Sequence, residues 1–306
     1  MSRLSELLES GRFAVTAEIN PPKGMDIQDA LSKAEALRGF VDAVNLTDQQ
    51  SAIMSMSPLA LASLLLQRGP EVILQVSCRD RNRIAIQGEF LGASALGVEN
   101  ILCMTGDPVA TGDHPEAKAV FDLDSIGLLK TASTLMEGKD MGGNDLKGAP
   151  EFYLGAVVNP AASELADEII RMEDKVEAGA RFFQTQAIFD LTQIEEFMDM
   201  VRPLGMPVLA GVIILKSGDM ARSLNLRLPG VHVPDNIIDE MDGAGNKAQK
   251  GIEIAGRVIR DMRNLCDGVH IMAIGWERRI PQILDAAGLL ALDKTKGLAR
   301  EWALGA

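Results

Sequence analysis

Short apolar runs recur along the chain with amphipathic stretches between them, and this recurrence predicts alternating strands and helices. The strand-like runs cover residues 13–19, 43–46, 72–77, 100–105, 152–158, 181–185, 208–214 and 268–274. Most are apolar throughout, as expected where a parallel sheet is covered on both faces. Residues 27–38, 58–67, 83–96, 123–136 and 248–265 instead place apolar side chains three or four apart, the spacing of a helix with one buried face.

The polar residues closing the first four runs, Glu18, Thr47, Ser77 and Asp107, lie 29, 30 and 30 residues apart, one βα unit each. Eight such units predict an α/β fold, a (βα)8 TIM barrel forming a single domain over residues 1–306. The spacing lengthens to 52 between Asp107 and Asn159 and to 54 between Ile214 and Gly268, which puts insertions after strands 4 and 7. The glycine-rich stretch 138–148 reads as loop, and Leu228-Pro229-Gly230 as a break between a short helix and the long one at 248–265. An open doubly wound sheet is the competing architecture. Its glycine-rich turn after the first strand is missing, since Glu18-Ile19-Asn20-Pro21-Pro22 stands there.

Composition narrows the function. With 30 Lys+Arg against 43 Asp+Glu the net charge is −13, so no field gathers nucleic acid. No run of about 18 uncharged apolar residues is present to span a membrane. Met1-Ser2-Arg3-Leu4-Ser5-Glu6 leads into no apolar leader core, so a cytoplasmic location is expected. Cys78, Cys103 and Cys266 form no Cys-x-x-Cys pair and read as buried small hydrophobes. His114, His232 and His270 lack metal-ligand spacing, so no metal is expected, and His270 reads as a satisfied barrel residue. Gly243-Ala244-Gly245 follows no strand and reads as the approach to a helix, and the Met54/Met56 pair as packing.

In a barrel of this kind the chemistry sits at the C-terminal strand ends. The residues there are Glu18, Thr47, Gln75 with Ser77, Asp107, Asn159, Gln186, Lys216 and the Gly275-Trp276-Glu277 corner. Taken singly, Thr47, Ser77 and Asn159 read equally as turn residues. Glu18 is a lone acid inside an otherwise core-like strand, a position that is unfavourable unless the carboxylate is paired or chemically used. Gly106 before Asp107 permits close backbone approach to a ligand. Gln184 and Gln186 lie two apart and share a face, either inward, where two amides suit a planar heterocycle, or outward against the helices.

Several segments together resemble the methylenetetrahydrofolate reductase family: Ala17-Glu18-Ile19-Asn20-Pro21-Pro22-Lys23, Thr47, Met104-Thr105-Gly106-Asp107-Pro108, and Lys175-Val176-Glu177-Ala178-Gly179-Ala180 leading into Gln184-Thr185-Gln186. The resemblance runs in the same order over nearly the whole chain. It implies a barrel that binds a flavin, FAD or alternatively FMN, and uses it to reduce methylenetetrahydrofolate to methyltetrahydrofolate by hydride transfer. It implies Glu18 as general acid and Asp107 beside flavin and pterin. Thr47, Gln75, Ser77, Thr105, Gly106, Asn159 and Lys175 are then cofactor-side residues, and Gln184 and Gln186 substrate-side residues.

The chain departs from the family pattern at Gln75 (elsewhere His), Thr105 (elsewhere Arg), Gly275-Trp276-Glu277 (elsewhere an Asn-Arg corner) and Met220 (elsewhere a second glutamine). These departures resemble a subgroup associated with corrinoid and one-carbon pathways. For that subgroup the electron donor is NADH, another pyridine nucleotide or a partner subunit, and an oligomer is expected. The alternative is a non-redox folate- or pterin-binding subunit for methyl transfer. Because flavin phosphate and folate are anionic, Arg79, Arg81, Lys175, Lys216 and Arg279 are expected to supply local attraction.

Overall fold

The computed structural model describes residues 1–228 and 230–290; Pro229 of the expected helix break and residues 291–306 of the expected domain lie outside the described residues. Eight parallel strands pair in chain order, and the last closes on the first. They are β1 Ala14–Ile19, β2 Ala43–Leu46, β3 Val72–Ser77, β4 Asn100–Met104, β5 Tyr153–Val158, β6 Phe182–Ala187, β7 Val208–Ile213 and β8 Gly268–Met272. All eight fall within two residues of the expected runs.

The helices are α1 Arg3–Glu9, α2 Gln28–Leu37, α3 Pro58–Leu66, α4 Arg83–Ala95, α5 Ser125–Met136, α6 Leu165–Glu177, α7 Leu191–Val201, α8 Gly218–Arg227, α9 Asp235–Gly243, α10 Lys247–Met262 and α11 Ile280–Ala286. The β7–β8 insertion thus holds two extra helices, α8 and α9. The β4–β5 insertion is mostly loop around α5. None of the described helices is long and apolar enough to cross a membrane.

The strands are buried along nearly all of their length, yet their side chains divide by twos. Val15, Ala17, Val44, Leu74, Cys103, Ala156, Phe183 and Ile271 pack into the large layer between sheet and helices. Ala14, Ala43, Ile73, Leu102, Phe182 and Leu209 form a separate cluster inside the barrel. Gly155 makes room there, because a Cβ at that position would lie 2.3 Å from Phe182 Cζ.

Helix α1, which the sequence reading passed over, closes the floor. Ser2 caps it by accepting from Ser5 N, and Leu4, Leu7 and Leu8, at one-turn spacing, enter the interior cluster. Glu71 fixes it by accepting from Leu4 N at 2.8 Å and from Asn100 Nδ2 at 2.9 Å. With the lower barrel apolar and plugged, the open end is the C-terminal face.

Candidate active site

Two residues above the apolar floor the inward positions turn polar. Asn45 Nδ2 donates to Gln184 Oε1 at 2.9 Å, a bond from β2 to β6 that can only cross the interior. Gln184 is therefore inward and 2% exposed, and its amide is committed to Asn45 below the rim. Its expected companion Gln186 is half-buried and makes no side-chain bond within the protein. A register shift between β6 and β7, where Gly211 N donates to Thr185 Oγ1 at 2.9 Å, separates the two glutamines' environments.

Glu18 stands on the inner face of β1, 8% exposed, at the register of Asn45. One oxygen meets His270 Nε2 at 3.3 Å, and the other accepts from Gln50 Nε2 at 3.5 Å. His270 Nδ1 lies 3.0 Å from Thr16 Oγ1, which reaches Val269 O at 3.5 Å. The chain can be satisfied in two ways. With Glu18 ionised, Nε2–H donates to it and the Thr16 hydroxyl donates to Nδ1. With Glu18 protonated, its O–H donates to Nε2, Nδ1–H donates to Thr16, and the Thr16 hydroxyl turns to Val269 O. Glu18 can hold or release a proton without orphaning a buried partner. His270, expected to be a bland barrel residue, is thus part of the site. The signal was available, because Thr16 and Glu18 lie two apart on β1 and β8 closes on β1 at Thr16↔His270.

The segment after β2 crosses the mouth. Thr47 Oγ1 donates to Asn20 Oδ1 at 3.1 Å, Asn20 Nδ2 donates to Gln50 Oε1 at 3.1 Å, and Ser51 N donates to Asp107 Oδ2 at 2.9 Å. Asp107 is exposed, on the loop after β4. Gly106 before it has φ +93°, and a Cβ there would approach Ser77 Cβ to 3.0 Å, so glycine is required. Thr105 is exposed at the same rim.

Gln75 differs from its neighbours: it is 5% exposed on inner β3, and its amide has no partner within the protein. The amide keeps access to the barrel mouth, where a ligand or water can satisfy it. Beside the end of β4 a cavity of about 680 Å³ is lined by Thr105, Gly106, Pro108, Phe121, Asp122, Leu123, Asp124 and Gly127. Arg83 grips its Asp122 and holds that carboxyl down to about 2.

Other expected contacts are turned inward. Ser77 gives both N–H and hydroxyl to Asp48 Oδ2, at 2.8 and 2.9 Å, and Arg81 pairs with that buried acid and with Glu89. Asp48 was absent from the sequence reading, although it follows Thr47 directly. Arg79, expected at the mouth, is 2% exposed and engaged by Asp80 and by the Gln49 and Asp107 carbonyls. Asn159 closes a turn onto Ala161 N. Lys175 lies between α6 and β5, donating to Val157 O at 2.7 Å; burial lowers its pKa while Glu168 opposes the shift. Its ammonium also pairs with Glu168 Oε1, 4.0 Å away.

Lys216 and Arg279 flank Trp276 at 5.4 and 5.2 Å from the ring centre. Met54 does not pack as expected and is 49% exposed, whereas Met56 joins the core. No cluster of metal-ligating side chains occurs among the described residues.

The family model described as methylenetetrahydrofolate reductase matches residues 3–288. A probable methylenetetrahydrofolate reductase (NADPH) of Caenorhabditis elegans is 23% identical over 310 residues, covering 95% of this chain and 44% of that protein. Methylenetetrahydrofolate reductase 1 of Schizosaccharomyces pombe is 23% identical over 233 residues, 72% of this chain and 36% of its own length. The chain thus spans less than half of these two relatives. The 5,10-methylenetetrahydrofolate reductase of Pectobacterium carotovorum subsp. carotovorum, 23% identical over 266 residues, is matched over 85% of this chain and 82% of its own. Among solved structures, EDTA monooxygenase from Chelativorans sp. BNC1 superposes with a TM-score of 0.56 at 12% identity, over 96% of this chain and all of that one. A 2,3-dimethylmalate lyase gives 0.51 at 15%, over 97% and 87%. These last two show a shared barrel and nothing of the chemistry.

Proposed function

The chain belongs to the methylenetetrahydrofolate reductase family, and on that premise we propose that its barrel binds a flavin and reduces methylenetetrahydrofolate to methyltetrahydrofolate, with Glu18 as the general acid. The observation that carries this reading is Glu18 itself, an acid held inside the barrel mouth on a hydrogen-bond chain that accommodates both of its protonation states.

A bound reduced flavin would supply the hydride that reaches the folate methylene carbon. The protein's own side chains do the rest. Glu18 protonates the nitrogen that leaves when the folate's five-membered ring opens, and His270 and Thr16 readjust their hydrogen bonds as the proton departs. Asp107 is assigned to favour, by its negative charge, the cationic iminium produced by that opening. Gln75 and Gln186, the two rim amides without protein partners, suit the hydrogen-bonding edges of flavin and pterin. Thr47 and the backbone at Gly106 would flank the flavin, and Lys175, already bonded to Val157 O and paired with Glu168, would turn its remaining N–H to a flavin phosphate. Electrons come from a pyridine nucleotide or from a partner subunit.

The test is direct. Purified protein, reconstituted with FAD or FMN, is expected to show a flavin spectrum. When reduced by a screened donor it should convert methylenetetrahydrofolate to the methyl form, identified by mass spectrometry. A preparation that binds folate but cannot be loaded with flavin would replace this reading with the non-redox folate-binding one.

A further inference from the structure

Three residues in a four-residue stretch, Gln49 (φ +50°), Ser51 (+55°) and Ala52 (+57°), occupy the left-handed region without being glycine. Such positions are each unfavourable by roughly 1–3 kcal/mol and persist where the surroundings enforce them. Here the loops after β1, β3 and β4 enforce them. Arg79 donates to Gln49 O at 3.2 Å, Asp107 accepts from Ser51 N, and Asp113, itself paired with Lys23, accepts from Met54 N at 3.0 Å. Gly112 presses so closely on Ala52 that a Cβ there would meet its carbonyl oxygen.

This strained strap delivers the Gln50 side chain onto Glu18. The amide's orientation follows from Glu18: an ionised carboxylate only accepts, so Gln50 presents Nε2 to it and Oε1 to Asn20 Nδ2, and the Thr47 hydroxyl completes the chain by donating to Asn20 Oδ1. We propose that Gln50 is a positioning residue for Glu18, clamping its carboxyl between the strap amide and His270 so that it points at the reacting nitrogen. This rests on the function proposed above.

The groups around Glu18 are few. His270 faces it from β8, β2 presents the uncharged Asn45 and Thr47, the strap presents Gln50, and Asp107 is occupied by the next residue of the strap. Gln50 is therefore the one group on the strap bonded to the acid.

The experiment compares the parent protein with Gln50→Met, which keeps length and removes both hydrogen-bonding ends, Gln50→Glu, which puts a second carboxyl beside Glu18, and Glu18→Gln. In anaerobic single turnovers Gln50→Met is expected to slow reoxidation of the flavin by methylenetetrahydrofolate on the order of tenfold, with folate affinity and donor-driven flavin reduction within about twofold of the parent. In Gln50→Glu two neighbouring carboxyls share a proton, so the alkaline fall-off of the same step is expected to move to higher pH. Carboxyl-carbon NMR on protein labelled at glutamate, with the Glu18 signal identified by its loss in Glu18→Gln, reads the same displacement without turnover.

An unchanged rate in Gln50→Met, or an equal slowing of both half-reactions, would overturn the proposal. So would an unmoved pH profile and Glu18 signal in Gln50→Glu. A parent protein without folate turnover, or a Glu18→Gln variant that retains it, would instead strike the underlying function, and the positioning role with it.

Discussion

Substituting His270 and Glu18 separately and together asks whether the two act as one unit. In His270→Asn the amide reaches the place of Nδ1 and keeps the bond to Thr16, while the atom 3.3 Å from Glu18 is lost. A hydrogen bond to a charged group contributes about 1.5–3 kcal/mol. At 1.36 kcal/mol per tenfold, its full loss at the transition state slows the folate step by about 10- to 150-fold. Glu18→Gln removes the transferable proton altogether, and losses on the order of 10²–10⁴ follow for a general acid. If His270 works only through Glu18, the double variant is no slower than Glu18→Gln alone. The assay is stopped-flow reoxidation of pre-reduced flavin by methylenetetrahydrofolate under anaerobic conditions, with donor-driven reduction as the control. His270→Gln, whose amide reaches the place of Nε2, should recover part of the rate. A double variant showing the product of the two single effects would refute the coupling, as would a His270→Asn variant slowed equally in both half-reactions.

Gly155→Ala drives a methyl group into the Phe182 ring, which is stacked on Tyr153 at 5.1 Å, and should cost about 1–3 kcal/mol, roughly 2–5 °C in Tm by calorimetry. Burial pushes the Cys78 and Cys266 thiols up to about 12 and raises Cys103 as well, so the native protein should resist thiol reagents at pH 8 and titrate three thiols once unfolded. The unfolded chain releases those protons from about pH 8.5 while the fold retains them, so unfolding free energy should fall as pH rises beyond that point in denaturant titrations. Lys175→Met leaves Glu168 and the Val157 carbonyl without their partner, so the flavin-free protein should melt at a lower temperature, while flavin binding read by fluorescence weakens on the order of tenfold. Lys216→Gln combined with Arg279→Gln should raise the folate KM a few-fold at low salt and leave kcat unchanged, a difference that about 0.5 M salt should erase.

The barrel was legible because its cause is local. Uninterrupted apolar runs at a 30-residue spacing have one economical closure, and every run became a strand. The site was legible only where chemistry and position coincide in one residue. Glu18 stood out because an acid inside β1 contradicts its surroundings. His270 did not, because a histidine in a strand is unremarkable until β8 closes beside β1 and sets it against Glu18, a contact 252 residues away in sequence. Gln184 and Gln186 looked equivalent because period two is all a sequence reveals. The register shift beside β7 and the bond to Asn45 distinguish them. Gln50 carried no local signal, since its place over Glu18 depends on left-handed backbone imposed by three other loops.

The cations expected to draw in anionic ligands divide in a way that bears on orientation. Arg79 and Arg81 are neutralised within the rim by Asp80, Asp48 and Glu89, and Lys175 lies behind β5. Asp107, Asp113, Asp122 and Asp124 all follow β4, whereas Lys216 and Arg279 flank Trp276 on the β7–β8 side. Asp122 is paired with Arg83 and Asp113 with Lys23, which leaves Asp107 as the acid at the β4 rim facing Lys216 and Arg279 across the barrel. On the proposed function, a folate whose reacting ring becomes cationic and whose glutamate tail is anionic would be drawn in with its ring toward Asp107 and its tail toward Lys216 and Arg279.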